Sequence, residues 1–278
     1  MRIPPKYTQK GAIALLGGAT LLTLAILIFI IVFILEKGLP VLSFNFLFKN
    51  PEDMGRAGGI FPTLIGTIIL PLLAIIIATP LGIFTSVYLS EYTKETRATK
   101  IIRFGTDCLA GIPSIIFGLF GYIFFVITLE MGWSILSGGL TLAVMILPTI
   151  IRTSEEAIRA VPKSYREVSF SLGATGWQTV KKVILPNALP GIVTGIMLSI
   201  GRAIGETAAV IFTAGSSLRL PGSILDSTRT MAVHFYILAR EGISAENAYG
   251  TAAALIIAVL FVNLSAYWLM HRFISKRS

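Results

Sequence analysis

The segment from Glu167 to Pro186 reads EVSFSLGATGWQTVKKVILP and lies within residues 152–189, a polar stretch between two apolar runs. Pro162 can start a helix ahead of this segment, and Gly173 can end it. Thr175 can then start a second helix that stops before Pro186. This punctuation predicts a hairpin of two short helices that lies parallel to a membrane, rather than a disordered loop.

The composition around this segment is that of an integral membrane protein. With 54% hydrophobic residues, 13% charged residues and a mean hydropathy of +0.81, the 278-residue chain is too apolar for an ordinary water-soluble domain. The net charge of +9 comes from basic residues in short loops, which argues against nucleic acid as a partner. Cys108 is the single cysteine, so we exclude a disulfide framework and expect a small core residue there.

Uncharged runs long enough to cross a bilayer predict an all-α protein with six transmembrane helices. The predicted spans are Ala12 to Leu35, Phe61 to Leu89, Phe104 to Leu129, Ile135 to Ile151, Pro190 to Ala214 and Gly250 to Met270. No small-residue cleavage site follows the first run, so we expect it to be kept as a helix. We divide the chain into residues 1–58, the first helix with an outer loop, and a five-helix core at 59–278 that contains the polar stretch 152–189.

The distribution of basic residues predicts that both termini are cytoplasmic. Of the lysines and arginines outside the spans, 16 fall on the side of the N-terminus and six on the other side. The terminal members of the inner group are Arg2, Lys6, Lys10, Arg272, Lys276 and Arg277.

Arg202 and Glu206 are charged residues inside the fifth predicted span. Arg202 lies 12 positions after Pro190, so a rise of about 1.5 Å per residue places it near mid-membrane. Glycines share its side of the helix, which predicts that the charges face the helix bundle rather than lipid. The two residues are spaced for an ion pair, and that pair is either structural or a holding contact for an anion. A guanidinium suits a tetrahedral oxyanion, so both residues are candidates for a substrate pathway.

Two further features are candidates for the pathway. Arg152 ends the fourth span, where an ordinary basic flank also accounts for it. Gly111 and Pro113 are a candidate helix break or hinge, and Pro71 and Pro80 offer the same in the second span. Such prolines either expose backbone N–H groups to an anion or only kink the packed helices.

The polar stretch carries a family resemblance. Glu167-Val168-Ser169, three residues, Gly173, nine residues and then Val183 to Pro186 resembles the EAA loop of type I ABC importer permeases. Glu167, Gly173, Leu185 and Pro186 match that pattern, while its two alanines are replaced. The resemblance implies that this hairpin is a coupling helix docked on a separate ATPase subunit. The chain has no phosphate-binding loop of the Gly-x-x-x-x-Gly-Lys-Ser/Thr kind, so we expect no enzymatic activity, no catalytic residue and no cofactor. His234, expected in an outer loop, and His271, at the end of the last helix, are too far apart in predicted position to share a metal, so we expect no metal site.

Two other segments narrow the resemblance to phosphate permeases. GRAIGETA from Gly201 and LAGIPSIIFGLFG from Leu109 look like segments of that group, and more like its PstA than its PstC members. The likeness runs from about Gly59 to Met270. It implies a MetI-like fold in the cytoplasmic membrane that imports phosphate. The implied partners are a PstC-like permease, an ATPase dimer, an extracytoplasmic phosphate-binding protein and the lipid bilayer.

Rival interpretations remain open at this point. A guanidinium alone does not select one oxyanion, so sulfate, molybdate or tungstate are alternative cargoes in the same architecture. A secondary transporter working without ATP belongs to another class, but it typically shows an inverted repeat, and none is evident. A membrane scaffold without a pathway leaves Arg202 unexplained. The outer segment 218–247 is long enough to cover a pore or touch a delivered protein, and its role is undecided.

Overall fold

The computed structural model describes residues 5–275 and is built almost entirely from helices. The side chains of Arg2, Lys6, Lys10, Arg272, Lys276 and Arg277 lie outside what it describes. The helices are α1 (Pro5–Gly38), α2 (Phe44–Phe48), α3 (Phe61–Val87), α4 (Arg97–Ala110), α5 (Ser114–Gly121), α6 (Ile135–Ala160), α7 (Lys163–Ser171), α8 (Gly176–Thr179), α9 (Leu185–Ile204), α10 (Ala208–Thr213), α11 (Met231–Arg240) and α12 (Ala245–Ser275). A short antiparallel pair, β1 (Pro51–Glu52) and β2 (Ala57–Gly58), lies between α2 and α3.

Three helices continue through wide π-helical turns. Residues Tyr88–Tyr92 extend α3, Tyr122–Thr128 extend α5, and Val180–Ile184 join α8 to α9. Five helices of the described part are long and apolar enough to cross a membrane, and a bent pair, α4 with α5, makes a sixth crossing if it counts as one span. The all-α fold class is confirmed.

The third, fourth and fifth spans depart from their predicted bounds. The predicted span Phe104 to Leu129 is wrong as a single helix, because the chain bends by 101° between Ala110 and Ser114. The fourth continues nine residues past Ile151, to Ala160, and the fifth divides after Ile204. The predicted fourth span ended where charged residues begin, but the helix continues beyond its apolar part. The breaks in the third and fifth spans lie instead at Gly111 and Pro113 and at Gly205.

The core is formed by α3, α6 and the helices that cross them. Gly139 of α6 lies against Leu73 of α3, and Ile150 of α6 lies against Gly82 of α3. Residue numbers therefore increase in the same direction along both helices, and α3 and α6 run parallel. The buried centre consists of apolar side chains from α3, α5, α6, α10 and α11, among them Leu70, Phe117, Leu142, Ile146, Val210 and Val233. Pro71 and Pro80 lie inside α3 without dividing it, so neither is the break that the sequence allowed.

Helix α1 is exposed along its apolar length and touches the rest of the chain near its end. Gly38 lies against Tyr249 and Ala253 of α12, and Phe33 meets the Tyr249 ring edge-on. A helix that is apolar all round is suited to lipid or to another transmembrane chain.

Candidate functional site

The fifth span is interrupted at the charged residues that the sequence singled out. Arg202 lies in the last turn of α9, which ends at Ile204, and Gly205 caps it. Glu206 follows the break, and its Oε1 accepts a hydrogen bond of 3.2 Å from the backbone N–H of Ala209. A cation is thus placed at a helix C-terminus and a carboxylate at the start of the next helix, the arrangement that backbone dipoles favour.

The predicted ion pair between Arg202 and Glu206 is wrong. Such a pair needs one continuous helix, and the chain leaves helical geometry between the two residues. The carboxylate is used by the backbone of α10 instead. Within residues 5–275, Arg202 has no ion pair, and its side chain is only partly buried.

Arg202 shares its side of α9 with residues that pack on α6. A side chain at Gly191 would place its Cβ 2.6 Å from that of Ala157, and a Cβ at Gly195 would overlap Thr153. Arg202 follows Gly195 by seven residues, about two turns, and therefore lies on the same side of the helix. The close approach expected of these two glycines is confirmed.

The second break separates α4 from α5. Gly111 caps α4 and Pro113 precedes α5, so the two helices end and begin at the residues singled out from the sequence. One turn into α5, Gly118 lies against α10: a Cβ there would come within 2.9 Å of Ala209 Cα and 3.0 Å of the Ala208 carbonyl oxygen. Two interrupted spans therefore meet where α5 packs on α10, the helix that follows the break after Arg202. Interrupted spans inside a membrane are where transporters gather backbone and side-chain ligands.

The polar stretch forms the expected hairpin in its first half only. Helix α7 begins after Pro162 and ends before Gly173, whose φ of 79° is a left-handed conformation that glycine adopts freely. Thr175 caps α8 as expected. The second helix does not stop before Pro186, however, because residues Gly176–Ile204 run on as one helix. Leu185 and Pro186 are the first residues of α9, directly after the π-helical turn Val180–Ile184.

The hairpin is tied to the core and presents an apolar tip. The guanidinium of Arg166 holds the Glu91 carboxylate through two nitrogens, at 2.6 and 3.1 Å, and also donates to the carbonyls of Val161 and Ile158. Glu167 is exposed. The exposed apolar side chains, which we call the hairpin tip, are Tyr165, Val168, Phe170, Leu172 and Trp177.

Residues 78–278 match the family described as the binding-protein-dependent transport system inner membrane component. The chain belongs to this family. It is 36% identical over 280 residues to a probable ABC transporter permease, YqgI of Bacillus subtilis, and the match covers 95% of each chain. It is 38% identical over 232 residues to the phosphate transport system permease protein PstA 1 of Mycobacterium tuberculosis, covering 82% of this chain and 74% of that one.

Solved structures of ABC importers share the permease fold. The chain aligns with one from a bacterial transporter that imports alginate with a TM-score of 0.67 and 16% identity, covering 97% of this chain and 99% of the other. It aligns with one from the MetNI methionine transporter at a TM-score of 0.61 and 21% identity, covering 77% and 94%. The expected MetI-like fold and the resemblance to phosphate permeases are confirmed, as is a multi-pass protein of the inner membrane.

Arg152 of this permease lies in a cluster of ion pairs between α4 and α6. Its nitrogens lie 3.3 Å from Asp107 and 3.3 Å from Glu156. Beside it, the Glu155 carboxylate pairs with Arg103 and Arg159 at 2.8 Å each. Arg152 therefore has carboxylate partners, whereas Arg202 has none among the residues that the structure describes. Its place in a substrate pathway stays a prediction.

Sequence reasoning missed a buried pair of basic residues, Arg229 and His234, in the segment before and within α11. His234 was expected in a loop, but it lies on α11 and is 1% exposed, and Arg229 is 5% exposed. The Arg229 Nη1 lies 3.2 Å from His234 Nδ1, and its Nε donates to the Ser216 carbonyl. Burial and the charge of Arg229 lower the pKa of His234 to about 4, and burial lowers the pKa of Arg229 to about 10. Gly55 was the signal in the sequence that could have indicated this burial, since its lack of a side chain leaves room for the His234 ring.

Cys108 was expected in the core, and it is exposed on α4. The error follows from the wrong third span, because a residue on a single crossing helix would face the bundle. The site residues proposed from sequence thus lie at three places: Arg202 and Glu206 flank the break between α9 and α10, Gly111 and Pro113 lie at the break between α4 and α5, and Glu167 and Gly173 lie in the hairpin.

Proposed function

We propose that this permease subunit carries inorganic phosphate into the cytoplasm. It would act as a heterodimer with a homologous, PstC-like permease, receive phosphate from an extracytoplasmic binding protein, and be driven by an ATPase dimer on the cytoplasmic side. Both termini would then lie in the cytoplasm, with residues 1–58 as the first helix and outer loop and residues 59–278 as the five-helix permease core. Relatives named as phosphate transport permeases at 34–38% identity support the cargo.

One structural observation carries the assignment to an anion. Arg202 is a cation in a transmembrane helix, it has no ion pair within the described residues, and it lies in the last turn before its own span is interrupted. A permanently charged guanidinium in that setting needs an anionic partner to offset the loss of water. A transported oxyanion supplies that charge transiently, and a planar fork of donors matches its oxygens.

The hairpin supports coupling to ATP hydrolysis on another chain. Glu167, Gly173, Leu185 and Pro186 keep the family spacing, and the hairpin tip exposes large apolar side chains next to polar sequence. Exposed apolar clusters of this kind mark protein contacts. An alginate importer solved with its periplasmic protein shares the fold of this chain, which supports delivery by a binding protein.

Uptake of labelled phosphate by the assembled complex tests the proposal. We expect Arg202→Gln to lower the rate by about 10- to 100-fold, the loss of one hydrogen-bonded charge. Arg202→Lys should be intermediate, since an ammonium keeps the charge but lacks the fork. Arg219→Gln, an exposed arginine of the outer segment, is the matched control and should transport normally.

Three results would contradict parts of the proposal. Unchanged uptake in Arg202→Gln would remove Arg202 from the pathway. Uptake of sulfate, molybdate or tungstate in place of phosphate would keep the architecture and change the cargo. Uptake that continues without ATP and without an ATPase subunit would favour a secondary transporter.

A further inference from the structure

Helix α4 has its polar side toward the protein and its apolar side outward. Ile101 and Phe104 are each 70% exposed, Ile102 and Leu109 are 43% and 40% exposed, and Cys108 is exposed as well. At about 100° per residue these five side chains fall within one arc of about 160°, which we call the outer face of α4. Nothing in the transport site described above uses this face.

The opposite side of α4 is fixed to the core by charge. Arg103 Nε lies 2.8 Å from Glu155 Oε1 on α6, and its Nη2 donates to the Leu89 carbonyl at 3.2 Å. Asp107 pairs with Arg152 one turn further on, at 3.3 Å. Thr99, also on this side, is buried. The helix cannot rotate to hide its outer face without breaking these pairs.

The geometry of the neighbouring spans sets the direction of α4. Helices α3 and α6 run parallel, so the chain between them must return across the membrane. Helix α5 makes that return, since its residues Gly118 and Gly121 pack on α10 and α6. The 101° bend then leaves α4 running across the spans instead of along them. Its charged residues Arg97, Lys100, Arg103 and Asp107 also exclude it as a span.

The start of α4 carries free positive charge. Lys94, Arg97 and Lys100 are exposed, and none of them has an ion pair within the described part of the chain. Cations flanking an exposed apolar face complement a membrane surface of anionic headgroups over acyl chains.

We propose that α4 is an interfacial helix whose outer face is immersed in the cytoplasmic leaflet, with Lys94, Arg97 and Lys100 on anionic phospholipid headgroups. The helix would then link that leaflet, through Arg103 and Asp107, to the cytoplasmic end of α6, which leads into the hairpin. This inference is independent of which anion is transported.

The single cysteine of the chain provides a direct test. Cys108 lies on the outer face, so a nitroxide attached there reports its surroundings in the assembled complex, with cysteines of the other subunits replaced. We expect collisions with oxygen, which concentrates in lipid, to exceed those with a water-soluble nickel complex several-fold more than at a control label, Cys108→Ser with Arg219→Cys. Preferential collision with the nickel complex would show that Cys108 faces water. Low access to both reagents would show that it is covered by a second permease or an ATPase subunit. Either result would overturn the proposal.

The headgroup contact is tested by changing the lipid. In phosphatidylcholine vesicles that also contain phosphatidylglycerol, the oxygen-to-nickel ratio at Cys108 should rise above its value in phosphatidylcholine alone. The double variant Arg97→Gln with Lys100→Gln should abolish this rise and leave the phosphatidylcholine value unchanged. Arg240→Gln, which removes an exposed cation from α11, should keep the rise. A ratio that ignores phosphatidylglycerol in the unaltered protein would contradict the anionic contact.

Discussion

At the residue scale, His234 makes the stability of the outer segment depend on pH. Its ring is buried, and Nδ1 must accept from Arg229, so the folded protein holds it neutral with a pKa of about 4. In the unfolded chain the imidazole has its ordinary pKa of 6.5. Stability is therefore complete above about pH 6.5 and falls as the pH drops toward 4, by about 2 kcal/mol between pH 7 and pH 5. Thermal unfolding of the purified protein across this range measures the loss.

The control for this prediction removes the titrating group. His234→Gln keeps a carbonyl oxygen to accept from Arg229, and it should make the pH dependence of the melting temperature shallower than in the unaltered protein. Equal slopes would mean that His234 does not titrate in this range. His271, at the other end of the fold, could not be linked to it from sequence, and its side chain lies outside the described residues.

At the element scale, the meeting of α5 and α10 needs a residue without a side chain. Gly118→Ala would press a Cβ against Ala208 and Ala209 backbone atoms at about 3 Å. Backbone cannot give way as a flexible side chain can, so we expect about 1–3 kcal/mol of destabilisation and separated helix breaks. The melting temperature and the rate of phosphate uptake should both fall.

Gly105→Ala is the matched control, because it lies in helix α4 with open space where its Cβ would go. It should be neutral, or stabilising by about 0.5–1 kcal/mol, because alanine favours helix over glycine. Equal effects of the two substitutions would show that α5 and α10 do not touch as described.

The two helix breaks differ in how far they could be predicted from the sequence. Pro113 predicts a break because a proline disfavours helical geometry in the residue before it. Gly205 gives no such signal, because glycines also occur within helices that pack closely.

At the scale of the whole molecule, hydropathy and spacing predicted the class of fold, because twenty-residue apolar runs have few solutions in a bilayer. They did not predict the form of the third and fifth spans. Helix α4 carries Arg103 and Asp107, whose partners Glu155 and Arg152 lie some fifty residues away, so no local pattern reveals that its polar side is the packed one. The continuation of α8 into α9 was hidden because a proline commonly ends a helix, whereas Pro186 lies within this continuous helix, just after its π-helical turn.

The last prediction concerns how this chain joins its motor. Leu172 is 83% exposed at the hairpin tip, so replacing it should change the stability of the isolated chain by less than about 0.5 kcal/mol. If the tip is buried against an ATPase subunit, Leu172→Gln should weaken that association by about tenfold or more, the effect of truncating a central interface residue. Phe44→Gln is the control, since Phe44 is 77% exposed but lies near the start of α3, whereas the hairpin contacts Glu91 beyond the end of α3. Co-purification of the ATPase and uptake driven by ATP measure both variants. Retention of the ATPase by Leu172→Gln, or its equal loss in Phe44→Gln, would mean that the motor is held elsewhere.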